Sequence, residues 1–307
     1  MATIGGVHVA IATAAALPPE LDDDHRLVAA LADRGCTADR VAWDAPEVTW
    51  QDFDAVVVRS TWDYSDRHDA FLAWAAGVGE RLHNSPAVVR WNSDKTYLRD
   101  LAAAGVPVVP TTYVAPGDPL PELRGEIVVK PTVSAGAKDT GRFGPATHGL
   151  ARQLVTRINA SARTAMVQPY QGAVDTAGET AVVVIDGTVS HVLHKRAVLR
   201  PDEVAPVRDD GLGAAEAMYD PGLVTAGRAG AAELRLAEDV VAAVHDRFGY
   251  LPLYARVDMV AGDDGAPLVM ELEAVEPRLY HELAPGTVEC LADAVVGRLP
   301  SGDRRPR

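Results

Sequence analysis

Two short apolar runs near the C-terminus carry acidic residues at regular positions. The first run, RVDMV, contains Asp258, and the second, LVMELEAVEP, contains Glu271 and Glu273. Side chains two residues apart on a strand point to one face, so Glu271 and Glu273 share a face, and Asp258 joins them if the runs pair in a suitable register. Carboxylates that face each other repel unless a cation lies between them. The pattern therefore predicts two paired strands with a site for a hard cation such as Mg2+, which often also holds phosphates.

A charged edge strand, which protects a sheet against aggregation, is the simpler interpretation of an acidic stretch that also contains Glu276. However, apolar residues alternate with these acids and make the other face of the strand suitable for burial. A half-buried carboxylate needs a partner, and Arg256 can supply only part of the neutralisation. We therefore favour the cation site.

The chain of 307 residues is 48% hydrophobic, which is sufficient for a core shared by two or three lobes. Its formal net charge of -14 argues against a protein that binds nucleic acids or membrane surfaces in general. A nucleotide is still compatible with this charge, because it needs only a local cluster of Lys, Arg and backbone N–H groups. We therefore expect a small-molecule ligand.

The N-terminus has no basic region before its short apolar run. We therefore predict neither a signal peptide nor a membrane span, and we expect a cytoplasmic protein. Cys36 and Cys290 are the only cysteines, too few for a disulfide framework or a zinc site, and we expect both to be packing residues.

Residues 1–90 alternate between strand-like and helical patterns at a spacing that indicates a small parallel α/β domain. Such sheets bind ligands at the C-terminal ends of their strands, which here is the segment RSTWDY, from Arg59 to Tyr64. The predicted strands and helices are Val7–Thr13, His25–Arg34, Arg40–Trp43, Ala55–Arg59 and Arg67–Gly79, the last a helix with Asp66 as its N-cap.

Residues 91–165 are predicted to form a second part. It begins with a helix that Asn92 or Ser93 caps and that ends at Ala104, before Gly105. The elements that follow are the strand Glu126–Lys130, the small-residue loop PTVSAGAKDTG, the helix Leu150–Asn159 and the strand Ala165–Pro169.

Residues 166–307 are predicted to form the third part. A hairpin with an Asp-Gly turn joins Thr180–Ile185 to Thr188–Leu193. Many Asp, Pro and Gly residues make the stretch from about 198 to 230 irregular or mobile. The remaining predicted elements are the helices Gly230–Phe248 and Thr287–Leu299 and a disordered tail, SGDRRPR.

Two lysines are candidates for binding an anion. Lys130 precedes a loop of small residues, where backbone N–H groups can approach a phosphate. Lys95 is expected in a first helical turn, where its charge opposes the helix dipole unless an anion lies nearby. Each could instead be an ordinary solvated lysine.

Other candidates lie at strand ends. Gln168 and Tyr170 flank a proline that ends a strand, a position that can offer backbone groups to an adenine edge. Glu179 could accept hydrogen bonds from ribose hydroxyls, or be a surface acid. Lys195 lies between two other cationic residues, and strand alternation sends it to the opposite face from its neighbours.

Five segments occur in an order and spacing that resemble the ATP-grasp superfamily on its glutathione-synthetase-like side. They are NSDK, IVVKPTVSAGAKDTG, MVQPYQGAVDTAGETAVVVIDG, RVDMV and VMELEAVEP. Together with RSTWDY and ELEAVEPRLY, they are most similar to the branch that contains the cyclo-ligase of cycloserine biosynthesis. The resemblance implies a mixed α/β and α+β fold, in which an N-terminal parallel domain precedes two lobes of antiparallel sheet and helices that clamp ATP.

The resemblance also implies roles for individual residues. Arg256 would face the γ-phosphate or an acyl phosphate, and Lys195 or Arg196 would reach the substrate. Asp258, Glu271 and Glu273 would hold one or two Mg2+ ions, for which Mn2+ could substitute. The family pattern usually has Asn where Glu273 stands, which leaves the number of metals open. The nucleotide set is Lys95, Lys130, Ser134, Ala135, Gly136, Lys138, Gln168, Tyr170 and Glu179, and the substrate set is Arg59, Ser60, Tyr64 and Arg278.

The activity that this resemblance implies is a ligase reaction. The enzyme would activate a carboxylate as an acyl phosphate, and a nitrogen of the same amino-acid-like substrate would displace phosphate and close a ring. Two alternatives stay open, a ligase that joins two substrates and a non-catalytic nucleotide-binding protein. The oligomeric state also stays open, and a homodimer is compatible with the sequence.

Overall fold

A parallel sheet of four strands forms the N-terminal part of the computed structural model, which describes residues 6–18, 21–210 and 212–299. The elements of this part are β1 His8–Thr13, α1 Asp24–Ala32, β2 Thr37–Ala42, β3 Ala55–Val58, α2 His68–Val78 and β4 Leu82–His83. The strand order is β2-β1-β3-β4, and all neighbours are parallel. Every residue of β3 is buried, as expected for a strand covered on both faces. The predicted parallel α/β domain is confirmed.

Two predicted caps are wrong. The N-cap of α2 is Arg67, one residue after Asp66, whose carboxylate binds Lys138 instead. The helix expected after Asn92 is interrupted, because α3 Pro86–Asn92 ends there and α4 Tyr97–Ala103 begins after Thr96.

The side chain of Asn92 explains this interruption. Its amide donates to Leu272 O at 2.8 Å and its carbonyl accepts from Ala274 N at 2.6 Å, so it binds the backbone of a distant strand and caps no helix. Lys95 therefore lies in the turn between α3 and α4, and its backbone N–H donates to Thr132 O.

An antiparallel sheet, which we call the outer sheet, follows with the strand order β11-β7-β6-β8-β5. Its strands are β5 Thr112–Val114, β6 Ile127–Pro131, β7 Gly141–Phe143, β8 Ala165–Pro169 and β11 Glu203–Val204. The helix α5 His148–Ala160 packs on it through a buried face. The predicted boundary at residue 165 falls at the first residue of β8, which pairs with β5 and β6.

A second antiparallel sheet, the central sheet, has the strand order β12-β10-β9-β13-β14. Its elements, with the short helix α6 before it, are α6 Ala173–Ala177, β9 Glu179–Ile185, β10 Thr188–Lys195, β12 Val224–Ala226, β13 Tyr254–Ala261 and β14 Pro267–Glu273. The predicted hairpin is confirmed as β9 and β10, with Asp186 and Gly187 both at positive φ in its turn.

Helices cover both faces of the central sheet. On one face, α7 Ala231–Phe248 buries apolar residues such as Val240 and Val244 against β9, β13 and β14. On the other face, α8 Thr287–Gly297 packs together with α1, and this core also includes Val9 and Ile11 of β1. The N-terminal sheet and the central sheet are thus joined by one continuous apolar core.

Three other expectations have mixed outcomes. The stretch from about 198 to 230 is largely irregular but contains the short strands β11 and β12. Cys36 is buried as expected, whereas Cys290 is exposed on α8. The tail SGDRRPR lies outside the described residues. In the described part of the chain, no helix combines the length and the apolar character that crossing a membrane requires.

Candidate active site

A cleft lies between the outer sheet and the central sheet, and most of the predicted site residues line it. Those from the nucleotide, metal and catalytic sets are Lys95, Lys130, Ser134, Ala135, Gly136, Gln168, Tyr170, Glu179, Lys195, Arg256, Glu271 and Glu273, and those from the substrate set are Tyr64 and Arg278. Four predicted residues are absent from its lining, namely Arg59, Ser60, Lys138 and Asp258. The fold thus brings fourteen separated positions to one concave surface.

The strand register places charged residues of β13 and β14 across from one another. Arg256 on β13 pairs with Glu273 on β14, and Asp258 pairs with Glu271. The predicted pairing of these two runs and the position of Asp258 opposite an acid are therefore confirmed. On the neighbouring hairpin, Lys195 lies opposite Glu179 and its Nζ is 3.0 Å from Glu179 Oε2.

Asp258 is the centre of this charge network and is only 1% exposed. Its Oδ1 accepts from Arg256 Nε at 2.7 Å, and its Oδ2 accepts from Lys195 Nζ at 2.7 Å and from Arg256 Nη2 at 2.9 Å. Burial opposes ionisation, but the Arg256 guanidinium and the Lys195 ammonium hold the pKa of Asp258 well below its usual range. Asp258 is therefore a buried anion with both oxygens occupied by protein cations.

Glu271 and Glu273 face the cleft, and their pKa values are shifted in opposite directions. Burial raises the pKa of Glu273 to about 7, although the Arg256 guanidinium acts in the opposite direction. Burial also acts on Glu271, but Lys95 and Lys130 hold its pKa below the usual range. Lys95 Nζ lies 3.1 Å from Glu271 Oε1 and also donates to Ser134 O at 2.6 Å.

Lys130 differs from the other cations of the cleft. It is the fourth residue of β6, and it makes no ion pair or hydrogen bond through its side chain with any residue in the described ranges. Burial lowers the pKa of its ammonium group, and the nearby Glu271 opposes that shift only in part. Lys130 is thus a half-buried cation that faces the cleft without a protein partner.

The small-residue loop after β6 packs against the segment that follows β10. Gly136 O accepts from Ala215 N at 2.7 Å. Gly136 has a φ of +60°, and a Cβ added there would lie 2.6 Å from Ala214 Cβ, so only glycine fits. Lys138, at the end of the loop, points away and its Nζ donates to both oxygens of Asp66, at 2.8 and 2.7 Å.

The end of β8 forms another wall of the cleft. Gln168 is 4% exposed, and its amide donates to Thr111 Oγ1 at 2.8 Å. The backbone N–H of Tyr170 donates to Glu126 O at 2.8 Å, and the Tyr170 ring lies against the Arg142 guanidinium. The Tyr170 N–H is therefore already used within the protein.

Two residues of the predicted substrate set are buried behind the cleft. Arg59 is 2% exposed and Ser60 is fully buried. Arg59 Nη1 donates to Pro277 O at 3.0 Å, and its guanidinium lies over the Tyr254 ring. The end of β3 carries these side chains into the protein, whereas Tyr64 lies in the turn that follows and reaches the cleft.

Sequence reasoning missed one wall of the cleft. The irregular segment after β10 contributes the apolar residues Val198, Leu199, Leu212, Ala214 and Met218 to the lining. These residues are scattered among Asp, Pro and Gly without the period of a helix or a strand. Their only signal is that they are apolar in a stretch that otherwise resembles a surface loop.

The acidic residues fit Mg2+ only in part. In the parts of the chain that the structure describes, no three His, Cys, Asp or Glu side chains are grouped so that they alone could hold a metal ion. Mg2+ usually binds one or two carboxylates together with phosphates and water, and Glu271 and Glu273, which line the cleft, meet that requirement. Asp258 does not, because Arg256 and Lys195 occupy its oxygens.

Comparisons with known proteins give one consistent result. A family model described as the N-terminal domain of D-cycloserine synthetase DcsG matches residues 9–84. The chain is 38% identical to the cycloserine biosynthesis protein DcsG of Streptomyces lavendulae, over 96% of this chain and 99% of that protein. A crystal structure of D-cycloserine synthetase DcsG superimposes with a TM-score of 0.85 at 35% identity, covering 95% of this chain and all of the other.

More distant structures share the fold. D-alanine–D-alanine ligase from Bacillus anthracis has a TM-score of 0.67 at 13% identity, over 95% of this chain and 96% of that one. A RimK-domain ATP-grasp protein from Sphaerobacter thermophilus has a TM-score of 0.64 at 20% identity, over 95% of this chain and all of that one. The predicted α/β and α+β architecture of three sheets is therefore confirmed.

Proposed function

This chain belongs to the DcsG family of ATP-grasp ligases, and from that premise we propose that it closes a ring within an amino-acid substrate by activating a carboxylate with Mg-ATP. The carboxylate attacks the γ-phosphorus of ATP and ADP leaves. A nitrogen of the same molecule then attacks the acyl carbon, loses a proton and displaces phosphate. The preferred substrate is O-ureido-D-serine.

The observation that carries this proposal is the position of Lys130. A half-buried ammonium group without a protein partner is costly, and a phosphate that enters the cleft would compensate it. Lys95 lies beside it and already shares its charge with Glu271. The two lysines together offer a polyphosphate one free and one partly neutralised cation.

Glu271 and Glu273 would hold Mg2+ at the same wall of the cleft. When bound, Mg2+ would neutralise phosphate oxygens and so reduce the repulsion between a carboxylate and ATP. Glu273 stands where the family usually has Asn, and Arg256 Nη2 donates a hydrogen bond to it. The network around Asp258 fixes Arg256 and Lys195 at the floor of the cleft, where they orient the anionic groups of ATP and substrate.

The loop at Gly136 and the segment after β10 form a wall that supports the exclusion of water from the reaction. These two segments contact each other directly and cover the cleft beside Lys130. An acyl phosphate hydrolyses if water reaches it, so a covered site favours attack by the nitrogen. Tyr64 and Arg278 line the remaining wall and are proposed to contact the substrate.

Mass spectrometry can test the reaction directly. The protein is incubated with ATP, Mg2+ and O-ureido-D-serine, and ADP and a cyclised product are measured. Equal amounts of ADP and product are expected, and Glu271→Gln should form neither. If ADP forms only when a second amine is added, the reaction is a two-substrate ligation and not a cyclisation. No Mg2+-dependent ADP formation with either set would favour a non-catalytic nucleotide-binding protein.

A further inference from the structure

A second group of polar side chains lies where the start of α1 meets the end of β3. Asp24, the first residue of α1, is 1% exposed, and neither of its carboxylate oxygens has a hydrogen-bond partner among the residues that the structure describes. Asp23 stands at the N-cap position, where a carboxylate normally binds a backbone N–H group, but it makes no such bond. Its Oδ2 is also buried without a partner. Two adjacent carboxylates thus have unused acceptor atoms.

Unused donors lie beside these acceptors. Arg59 Nε, Ser60 Oγ and Thr61 Oγ1 are all buried and have no hydrogen-bond partner within the described ranges. The distance from Arg59 Nε to Asp24 Oδ1 is 3.7 Å, which is too long for a hydrogen bond although the two groups face each other. From the segment after β14, Arg278 Nε is likewise buried and unpaired.

The number of these atoms argues against a purely structural role. A buried polar atom without a partner is destabilising, and such atoms are rare in folded proteins. Here they come from three separate segments and converge beside the cleft, which Leu21 and Arg278 also line. A ligand with both donor and acceptor groups would satisfy atoms of both kinds at once.

The charges of this group define the ligand. Asp23 and Asp24 provide two carboxylates beside the guanidinium groups of Arg59 and Arg278, the second of which also pairs with Glu282 at 3.2 Å. An anion would be repelled by the carboxylates, and a simple cation would leave Arg59 Nε and Arg278 Nε without hydrogen-bond partners. An amino-acid zwitterion carries an ammonium group with three donors and a carboxylate that only accepts, and it matches both sets.

We propose that Asp23 and Asp24 bind the α-ammonium group of the amino-acid substrate, with its carboxylate directed toward Arg278 and the cleft. Arg59, Ser60 and Thr61 lie behind this subsite and position Asp24. The assignment rests on the proposed function in one respect, that a carboxylate is activated in the neighbouring cleft. It adds a reason for the ligase to require an amino acid instead of a simple carboxylic acid.

Calorimetry can test the subsite with two compounds, O-ureido-D-serine and the same molecule without its α-amino group. The wild-type protein is expected to bind the amino compound at least about 50-fold more tightly, the scale of a charge-assisted hydrogen-bond pair. Asp24→Asn should remove most of that preference, with little effect on the compound without the amino group. Asp23→Asn, at a less buried position, should reduce the preference in the same direction.

Two controls separate recognition from folding. Asp22→Asn removes an adjacent acid that is already paired with Arg40 at 2.9 Å and should leave the preference within about threefold of the wild-type value. Asp24→Asn should also change the melting temperature little, because Asp24 makes no hydrogen bond to Arg59, its ion-pair partner at 3.7 Å. Its affinity for a non-hydrolysable ATP analogue should not change.

The possible outcomes distinguish this subsite from the proposed reaction. Equal binding of both compounds by the wild type, or no binding of either, overturns the subsite whatever the turnover. An equal loss for both compounds in Asp24→Asn also overturns it, since that result indicates structural damage. If binding depends on the amino group but no ADP forms, the subsite stands and the proposed cyclisation fails.

Discussion

The buried charges of the cleft and those beside α1 follow opposite rules. In the cleft, Asp258 has both oxygens bonded to Arg256 and Lys195, and the strands hold these partners in register. Beside α1, Asp24 is equally buried, but its nearest guanidinium is beyond hydrogen-bond distance. A saturated network, in which each charged group has its hydrogen-bond partners in the protein, defines its own geometry. An unsaturated network has polar atoms without such partners, and these atoms can bind a ligand. We therefore propose that the first region holds the floor of the site and that the second recognises substrate.

We expect the largest effect of any substitution to be the loss of catalytic activity when an acid that faces the cleft is replaced. Glu271→Gln removes the charge proposed to hold Mg2+, and kcat should fall on the order of 1,000-fold with little change in stability. ADP release in a coupled assay and a thermal unfolding curve measure the two quantities. Glu238→Gln, at an exposed position on α7, is the matched control and should behave as the wild type. Undiminished turnover in Glu271→Gln would contradict the metal assignment.

Stability gives the sharpest contrast between the two regions. Asp258→Asn leaves Arg256 and Lys195 partly unpaired in a buried site and should lower the free energy of unfolding by about 3 kcal/mol. Asp24→Asn, which leaves no cation with a lost hydrogen bond, should not lower it. Denaturant unfolding of the two variants under the same conditions measures both values. If both substitutions destabilise the protein equally, the distinction between saturated and unsaturated charges is wrong.

Nucleotide affinity tests whether Lys130, a cation without a hydrogen-bond partner in the cleft, binds a ligand as the acids beside α1 are proposed to do. Lys130→Ala should weaken the binding of a non-hydrolysable ATP analogue by about 10- to 100-fold, because it removes a cation that is proposed to contact phosphate. Lys138→Ala is the control, since its ammonium group binds Asp66 away from the cleft. Calorimetry gives both dissociation constants. An unchanged constant for Lys130→Ala would remove this lysine from the phosphate site.

The sequence predicted the charge network of the cleft better than the group of polar side chains beside α1. The alternation of RVDMV and ELE determined which acids share a face, and the hairpin turn at Asp186 determined the neighbouring strands. These are local patterns with a period that can be counted. The charges in the cleft could therefore be assigned to neighbouring strands before the structure was known.

The other region depends on contacts between distant segments. Asp24 and Arg59 lie 35 positions apart in the sequence, and nothing in their local patterns indicates that their side chains face each other. Likewise, Asn92 resembles a helix cap in sequence but binds the backbone of β14 through a tertiary contact. Such contacts depend on how the sheets pack, and the periodicity of the sequence does not predict them.

The pH dependence of stability provides the smallest and most specific test, at Glu276. This acid lines the cleft and forms no ion pair with any cation in the described residues. Burial and the negative charge of Glu273 raise its pKa from 4.5 to about 8. Because an acid with a raised pKa holds its proton to a higher pH in the folded state, its contribution to stability is complete below pH 4.5 and is lost as the pH rises toward 8.

Glu276→Gln should therefore reduce the decline in the free energy of unfolding between pH 5 and pH 8 by about 1 kcal/mol, allowing for solvent screening. Urea unfolding at intervals across this range, without Mg2+, measures the slope. An unchanged slope would mean that Glu276 is ionised throughout and finds a cation when the protein folds, as Asp258 does.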